Sequence, residues 1–200
     1  MSQPHSFQLD ILRHGATTVS GAFLGSTDAD LTTAGHEAML SRVRGRHWAA
    51  VHTSPLERCR AFAARLHHDT VVEQGLAEYH FGRWDGRSVK DLRREDPAAV
   101  DAFWIDPEGA GPPGAEPLQH FRHRVHRAVE TLVGNRFRSP DPVLLVTHAG
   151  VMRVLLEQFL HLPLKSTWNI EIPPAGLMRL EFDVLDGEIL HTRLARLEGN

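Results

Sequence analysis

Cysteine is all but missing from this chain: Cys59 is the only one in 200 residues. No intrachain disulfide can form, which fits a reducing compartment. Lysine is nearly as scarce, since every one of the 22 basic residues except Lys90 and Lys165 is arginine. A GC-rich genome would produce that bias. So would a need to bind oxyanions, because guanidinium offers a planar fork of donors. Long apolar runs are absent, so the sequence predicts no membrane span. Met1–Gln8 lacks the basic start and apolar core of a signal peptide, and a cytoplasmic location is expected. A net charge of −3 argues against a general nucleic-acid binder. There is no internal repeat and no compositional break, so one domain over residues 1–200 is expected, of a length that can bury a good core.

What is present alternates. Strand-like runs give way to helical ones, the pattern of an α/β fold with a mainly parallel sheet. Thr32 is a plausible N-cap for a helix reaching about Arg46. Leu56, Cys59, Phe62, Ala63 and Leu66 recur at helical spacing, as do Phe121, Val125, Val129, Leu132 and Val133, and then Val151, Leu155 and Phe159. Residues 70–73 read as a short strand. The tail from Ile170 to Leu197 reads as two or three strands with a turn at Asp186-Gly187. Asp106 to Pro117 is rich in proline and glycine and predicts a loop, which could border a substrate pocket.

Four segments carry chemistry. Leu9 to Thr17 (LDILRHGAT) runs an apolar strand into Arg13, His14 and Gly15. Ligands of open α/β sheets bind at such strand ends, and an arginine beside a histidine there suggests an oxyanion held next to a nucleophile. Glycine lets the backbone turn sharply and approach a ligand closely. Thr53 to Cys59 (TSPLERC) again follows an apolar stretch. Leu76 to Gly86 (LAEYHFGRWDG) carries a carboxylate among aromatics, including the only tyrosine. Val143 to Gly150 (VLLVTHAG) is a second buried-looking strand that ends on a histidine.

In this order and spacing the four segments resemble the histidine phosphatase superfamily, the branch that includes cofactor-dependent phosphoglycerate mutase. The resemblance runs from about Leu9 to Leu180. It implies a three-layer α/β/α sandwich around a mostly parallel sheet. It implies a metal-independent phosphomonoesterase without a cofactor, acting on a small phosphate ester through a phosphohistidine, as monomer or homodimer. The residues matching the family's motif are His14 as nucleophile, Arg13 and Arg58 as phosphate clamps, His148 as a further donor, and Glu78 as acid and base. These are the parts such chemistry needs: a neutral imidazole, donors for the equatorial oxygens, and a proton source for the leaving oxygen. His148 near the ordinary histidine pKa of about 6.5 would become cationic beside phosphate. Burial among Tyr79, Phe81 and Trp84 should raise the pKa of Glu78.

Weaker candidates surround these. Thr17, Gly25 and Thr27 follow the nucleophile and could donate to phosphate. Phe23, Trp84 and Trp104 could contact a flat ligand, although aromatics more often pack in the core. Glu116 reads best as a carboxylate at a helix N-terminus. His120, His123 and His126 drift around their helix, and no carboxylate or cysteine completes a metal site. Glu78 is not followed by the arginine typical of the mutases, and Gly21 to Gly35, the SPLERCRAFA segment, Phe103-Trp104 and the PPGAE loop resemble the α-ribazole phosphatase type. Three readings stay open: a phosphatase, either for α-ribazole 5′-phosphate in cobalamin nucleotide-loop assembly or of broad sugar-phosphate and nucleotide specificity; a mutase; and a non-catalytic phospholigand-binding module.

Overall fold

A computed structural model describes residues 5–67, 69–134, 141–186 and 188–199. Its sheet has six strands in the order β3-β2-β4-β1-β5-β6, with β1 at His5–Arg13, β2 at Ala50–Thr53, β3 at Val71–Val72, β4 at Val143–Thr147, β5 at Leu177–Leu185 and β6 at Glu188–Glu198. The first four are mutually parallel, whereas β5 and β6 run antiparallel. All five residues of β4 are buried, as expected of a central parallel strand covered on both faces.

Side-chain alternation along the strands builds the layers. Leu9 and Ile11 of β1 with Val143 and Leu145 of β4 face helices α5 (Leu118–Gly134) and α6 (Ala149–Leu160). Leu12, Leu144 and Val146 face the opposite layer, α1 (Thr33–Val43) and α2 (Glu57–Leu66). This is the expected three-layer α/β/α arrangement. Two short helices, α3 (Val89–Glu95) and α4 (Pro97–Ile105), gather a smaller core of Phe23, Trp84, Leu92, Val100 and Phe103.

Local chemistry explains most boundaries. Thr32 does cap α1, its hydroxyl accepting from the Gly35 backbone N–H at 2.9 Å. The helix stops at Val43 rather than Arg46, because Gly45 takes a φ of +72° that no right-handed helix accommodates. The tail is a two-stranded hairpin. Asp186 has a φ of +53° at its turn, and Gly187 lies outside the described residues. The Asp106 to Pro117 segment connects α4 to α5 without strand or α-helix. Among the described residues no helix is long and apolar enough to cross a membrane.

Candidate active site

The C-terminal ends of β1, β2 and β4 converge, because these strands are parallel and adjacent. The His14 N–H donates to Thr147 O and the Ser54 N–H to Val146 O, each at 2.9 Å. The loop after each strand therefore starts from one edge. Gly15 is needed there for close approach: a Cβ on it would overlap the backbone of Gly35 in the first turn of α1. That contact holds the turn bearing His14 against the helix.

His14 is 8% exposed. Its Nδ1 lies 2.8 Å from Gly15 O. A carbonyl only accepts, so Nδ1 carries the proton and Nε2 keeps its lone pair. Burial, with Arg58 and Arg13 nearby, lowers its pKa to about 3; the ring is neutral at physiological pH. The His148 ring lies 5.2 Å away, centroid to centroid. His148 is fully buried, with Nε2 2.6 Å from Ser54 Oγ. Burial first, then Arg58, His14 and Arg13, push its pKa well below the ordinary histidine value. The expectation of a near-ordinary pKa is thereby corrected: a ring without solvent among cations does not hold a proton.

The two motif arginines are anchored differently. Arg13 donates from Nη1 to Ile172 O at 2.6 Å. Arg58, 1% exposed, donates from Nη1 to Thr27 O and from Nη2 to Leu24 O and Gly25 O, at 2.9–3.0 Å. Among the described residues, Nε of each is buried without a hydrogen-bond partner. Glu78 Oε1 accepts from Tyr79 N at 2.9 Å and Oε2 from Gly150 N at 3.0 Å. Burial raises its pKa, against the pull of those two N–H groups, the direction the aromatic loop implies.

A cavity of about 440 Å³ brings together Arg13, His14, Thr17, Phe23 and Glu78 with Arg153, Phe103, Trp104 and Trp168. Arg58 and His148 do not line it; both are buried, and Arg58 lines a separate cavity of about 410 Å³ between α1 and α2. Trp84 and Gly25 do not line the first cavity either. Trp84 packs behind Phe23, with ring centroids 5.4 Å apart, so the two aromatics serve different faces of one cluster. Gly25 sits where a Cβ would strike Tyr79 O and the Asp85 carboxylate, and its carbonyl holds Arg58. Thr27 is similar: its N–H goes to Asp85 Oδ1 and its carbonyl accepts from Arg58. Both residues hold Arg58 rather than form the cavity wall.

Several site-shaping residues escaped the sequence reading. Arg153 enters the cavity from α6, its guanidinium 4.8 Å from the Trp168 ring centroid. Arg124 in α5 donates to the carbonyls of Gly75, Ala77 and Glu78 at 2.6–2.9 Å and pairs with Glu116. Glu116 in turn accepts from His80 N at 3.0 Å. Glu116 thus precedes α5, as expected, and braces the Glu78 loop. His126 pairs with Glu130 at 2.9 Å, and the described residues contain no group of three or more His, Cys, Asp or Glu suited to a metal.

The family model described as the histidine phosphatase superfamily (branch 1) matches residues 9–193, and the chain belongs to that superfamily. It is 30% identical over 174 residues to the adenosylcobalamin/alpha-ribazole phosphatase of Salmonella typhimurium, a match spanning 82% of this chain and 85% of that one. It is 28% identical over 177 residues to the glucosyl-3-phosphoglycerate phosphatase of Mycolicibacterium vanbaalenii, spanning 82% and 78% of the two. Among solved structures, the alpha-ribazole phosphatase of Shigella flexneri superposes with a TM-score of 0.80 at 26% identity, over 96% of each chain.

Proposed function

We propose that the chain is a phosphomonoesterase that passes the phosphoryl group through His14, and that its substrate is α-ribazole 5′-phosphate. The observation that carries the chemistry is the state of His14. It is a neutral imidazole whose proton is fixed on Nδ1 by Gly15 O, in a cavity it shares with Glu78.

Nε2 attacks phosphorus as the P–O bond to the leaving alcohol breaks. The negative charge sits on the equatorial oxygens, where Arg13 and Arg58 supply positive charge. Their unpartnered Nε–H groups support this reading, since buried donors are rarely left unsatisfied. Glu78, whose pKa burial raises, serves as the acid and gives its proton to the departing alkoxide. The resulting carboxylate takes a proton from water, which attacks the phosphohistidine and releases inorganic phosphate and neutral His14. Ester plus water becomes alcohol plus phosphate, and Glu78 ends as it began. A neutral His148 enters as a hydrogen-bond donor, and a bound phosphate dianion would raise its pKa again.

The substrate assignment rests on similarity to alpha-ribazole phosphatases and on the walls. Away from phosphate the cavity is built from Phe23, Phe81, Phe103, Trp104 and Trp168, a surface suited to a flat aromatic base. The second reading, a phosphatase for anionic sugar phosphates, is favoured by one observation: Arg153 is a further cation in the cavity. Brief reaction with ³²P-labelled substrate and an alkaline quench should trap label on a histidine. His14→Ala should abolish both label and turnover, with activity persisting in EDTA. Turnover by His14→Ala, or activity restored only by added metal, would overturn the mechanism. Comparison of kcat/KM for α-ribazole phosphate, glucosyl-3-phosphoglycerate and fructose 6-phosphate decides the substrate.

A further inference from the structure

We propose that Gly150 is a positioning residue for the acid: its missing side chain lets the Glu78 carboxyl seat against the first turn of α6, in register with His148. The inference rests on the reading of Glu78 as proton donor and acceptor.

Glycine inside a helix costs stability relative to alanine, so its presence at the second position of α6 needs a reason. The usual one fails, because Gly150 is not among the glycines with positive φ. What a Cβ would meet is more informative. The three nearest atoms all belong to Glu78: Oε1 well inside van der Waals contact, Cδ at 3.0 Å and Oε2 at 3.3 Å. The Gly150 N–H donates to Glu78 Oε2 at 3.0 Å, and Tyr79 N–H holds Oε1 at 2.9 Å. The carboxyl is therefore fixed at two points, with one face flush against the Gly150 Cα.

The same helix turn begins at His148, its N-cap. One helix start thus carries His148 and, through the Gly150 N–H, seats the acid. A methyl group at 150 would meet only the end of a flexible side chain. The fold can absorb it by swinging Glu78 aside, which breaks the Gly150 N–H bond and moves the proton away from the leaving group. Gly150→Ala should therefore leave the helix intact and damage the chemistry. A glycine retained for packing alone would show the reverse.

The test compares Gly150→Ala, Glu78→Gln and the double variant on an alkyl phosphate (α-ribazole phosphate or fructose 6-phosphate, whichever turns over) and on p-nitrophenyl phosphate. For Gly150→Ala we expect a loss of about tenfold or more in kcat/KM on the alkyl ester, with kcat/KM for p-nitrophenyl phosphate within about threefold of the parent and no fall in thermal midpoint; kcat/KM is compared because it stops at formation of the phosphohistidine, whereas its hydrolysis needs Glu78 for both esters. The double variant should be no slower than Glu78→Gln alone, since coupled residues are non-additive. In a Glu78→Asp background, where the carboxyl is one methylene shorter, the penalty of Gly150→Ala should shrink. Equal losses on both substrates with a lowered midpoint would overturn the proposal, as would losses that multiply in the double variant. If Glu78→Gln itself shows no dependence on leaving group, it is the acid assignment that fails; if it does and Gly150→Ala does not, only the positioning role fails.

Discussion

Asp85 offers a demanding test of how Arg58 is held and of its proposed role as phosphate clamp. Its Oδ2 accepts from Ser26 N at 2.7 Å and its Oδ1 from Thr27 N at 2.9 Å. The loop so held presents the carbonyls of Leu24, Gly25 and Thr27 to the buried Arg58 guanidinium. Partial burial works to raise the Asp85 pKa, but the hydrogen bonds from Thr27, Ser26 and Phe81 outweigh it and hold the group below its ordinary value. A hydrogen bond to a charged group is worth about 1.5–3 kcal/mol. Ser26 and Thr27 are exposed, so water can replace much of each bond, and Asp85→Ala should cost about 1–3 kcal/mol in all. At this chain length that is a fall of roughly 2–12 °C in thermal midpoint. Asp85→Asn keeps one acceptor oxygen and should lose about half as much. A depressed pKa makes this contribution present above about pH 4 and lost as pH falls through the folded-state value; the parent and Asp85→Ala midpoints should converge below that pH. With its seat loosened, Arg58 should hold phosphate less well, and kcat/KM should drop about tenfold or more. Calorimetry across pH and steady-state kinetics on p-nitrophenyl phosphate check both halves. A lowered midpoint with unchanged kcat/KM would refute the link between Asp85 and Arg58.

Other outcomes follow from the same geometry. Glu78→Gln should lower kcat/KM for alkyl phosphates by about 10²–10⁴-fold and for p-nitrophenyl phosphate far less, because a nitrophenolate leaves without a proton; equal losses in kcat/KM would make Glu78 electrostatic rather than an acid. With the His14 pKa near 3, the nucleophile should set no acid limb in kcat/KM above about pH 4. Deprotonation of Glu78, whose pKa is raised, should give a basic limb for alkyl esters that vanishes in Glu78→Gln; a His14 limb near pH 6.5 would contradict the buried, neutral ring. Phe23→Ala should raise KM for α-ribazole phosphate about tenfold, on the scale of one lost base–aromatic stack. Conservative Trp84→Phe should change the midpoint more than KM, since Trp84 packs behind Phe23.

The sequence is most legible where backbone direction alone decides where a side chain points. An apolar run followed by Arg13-His14-Gly15, and another followed by His148, place their polar residues at strand ends. Parallel pairing of β1, β4 and β2 then makes those ends one site. Segments that alternate or repeat at helical spacing also declare themselves, because burial of one face shapes the pattern. Legibility fails where a long side chain crosses to another element. Arg124 reads as an ordinary polar residue of an amphipathic helix, yet its partners Gly75, Ala77 and Glu78 lie 46 to 49 positions away. Arg153 is similarly hidden on α6. Phe23 and Trp84 look equivalent as loop aromatics, and only their mutual packing makes one a wall and the other its support. The His148 pKa is misread for a related reason: residue type supplies the ordinary value, whereas the shift comes from burial and from the cations of other elements. In a chain whose basic residues are nearly all arginine, composition alone cannot separate a proposed clamp such as Arg13 from a brace such as Arg124 or a cavity wall such as Arg153. The separation lies in what each guanidinium has already bonded. Arg124 spends its donors on carbonyls and a carboxylate, whereas Arg13 and Arg58 each keep a buried Nε–H without a partner.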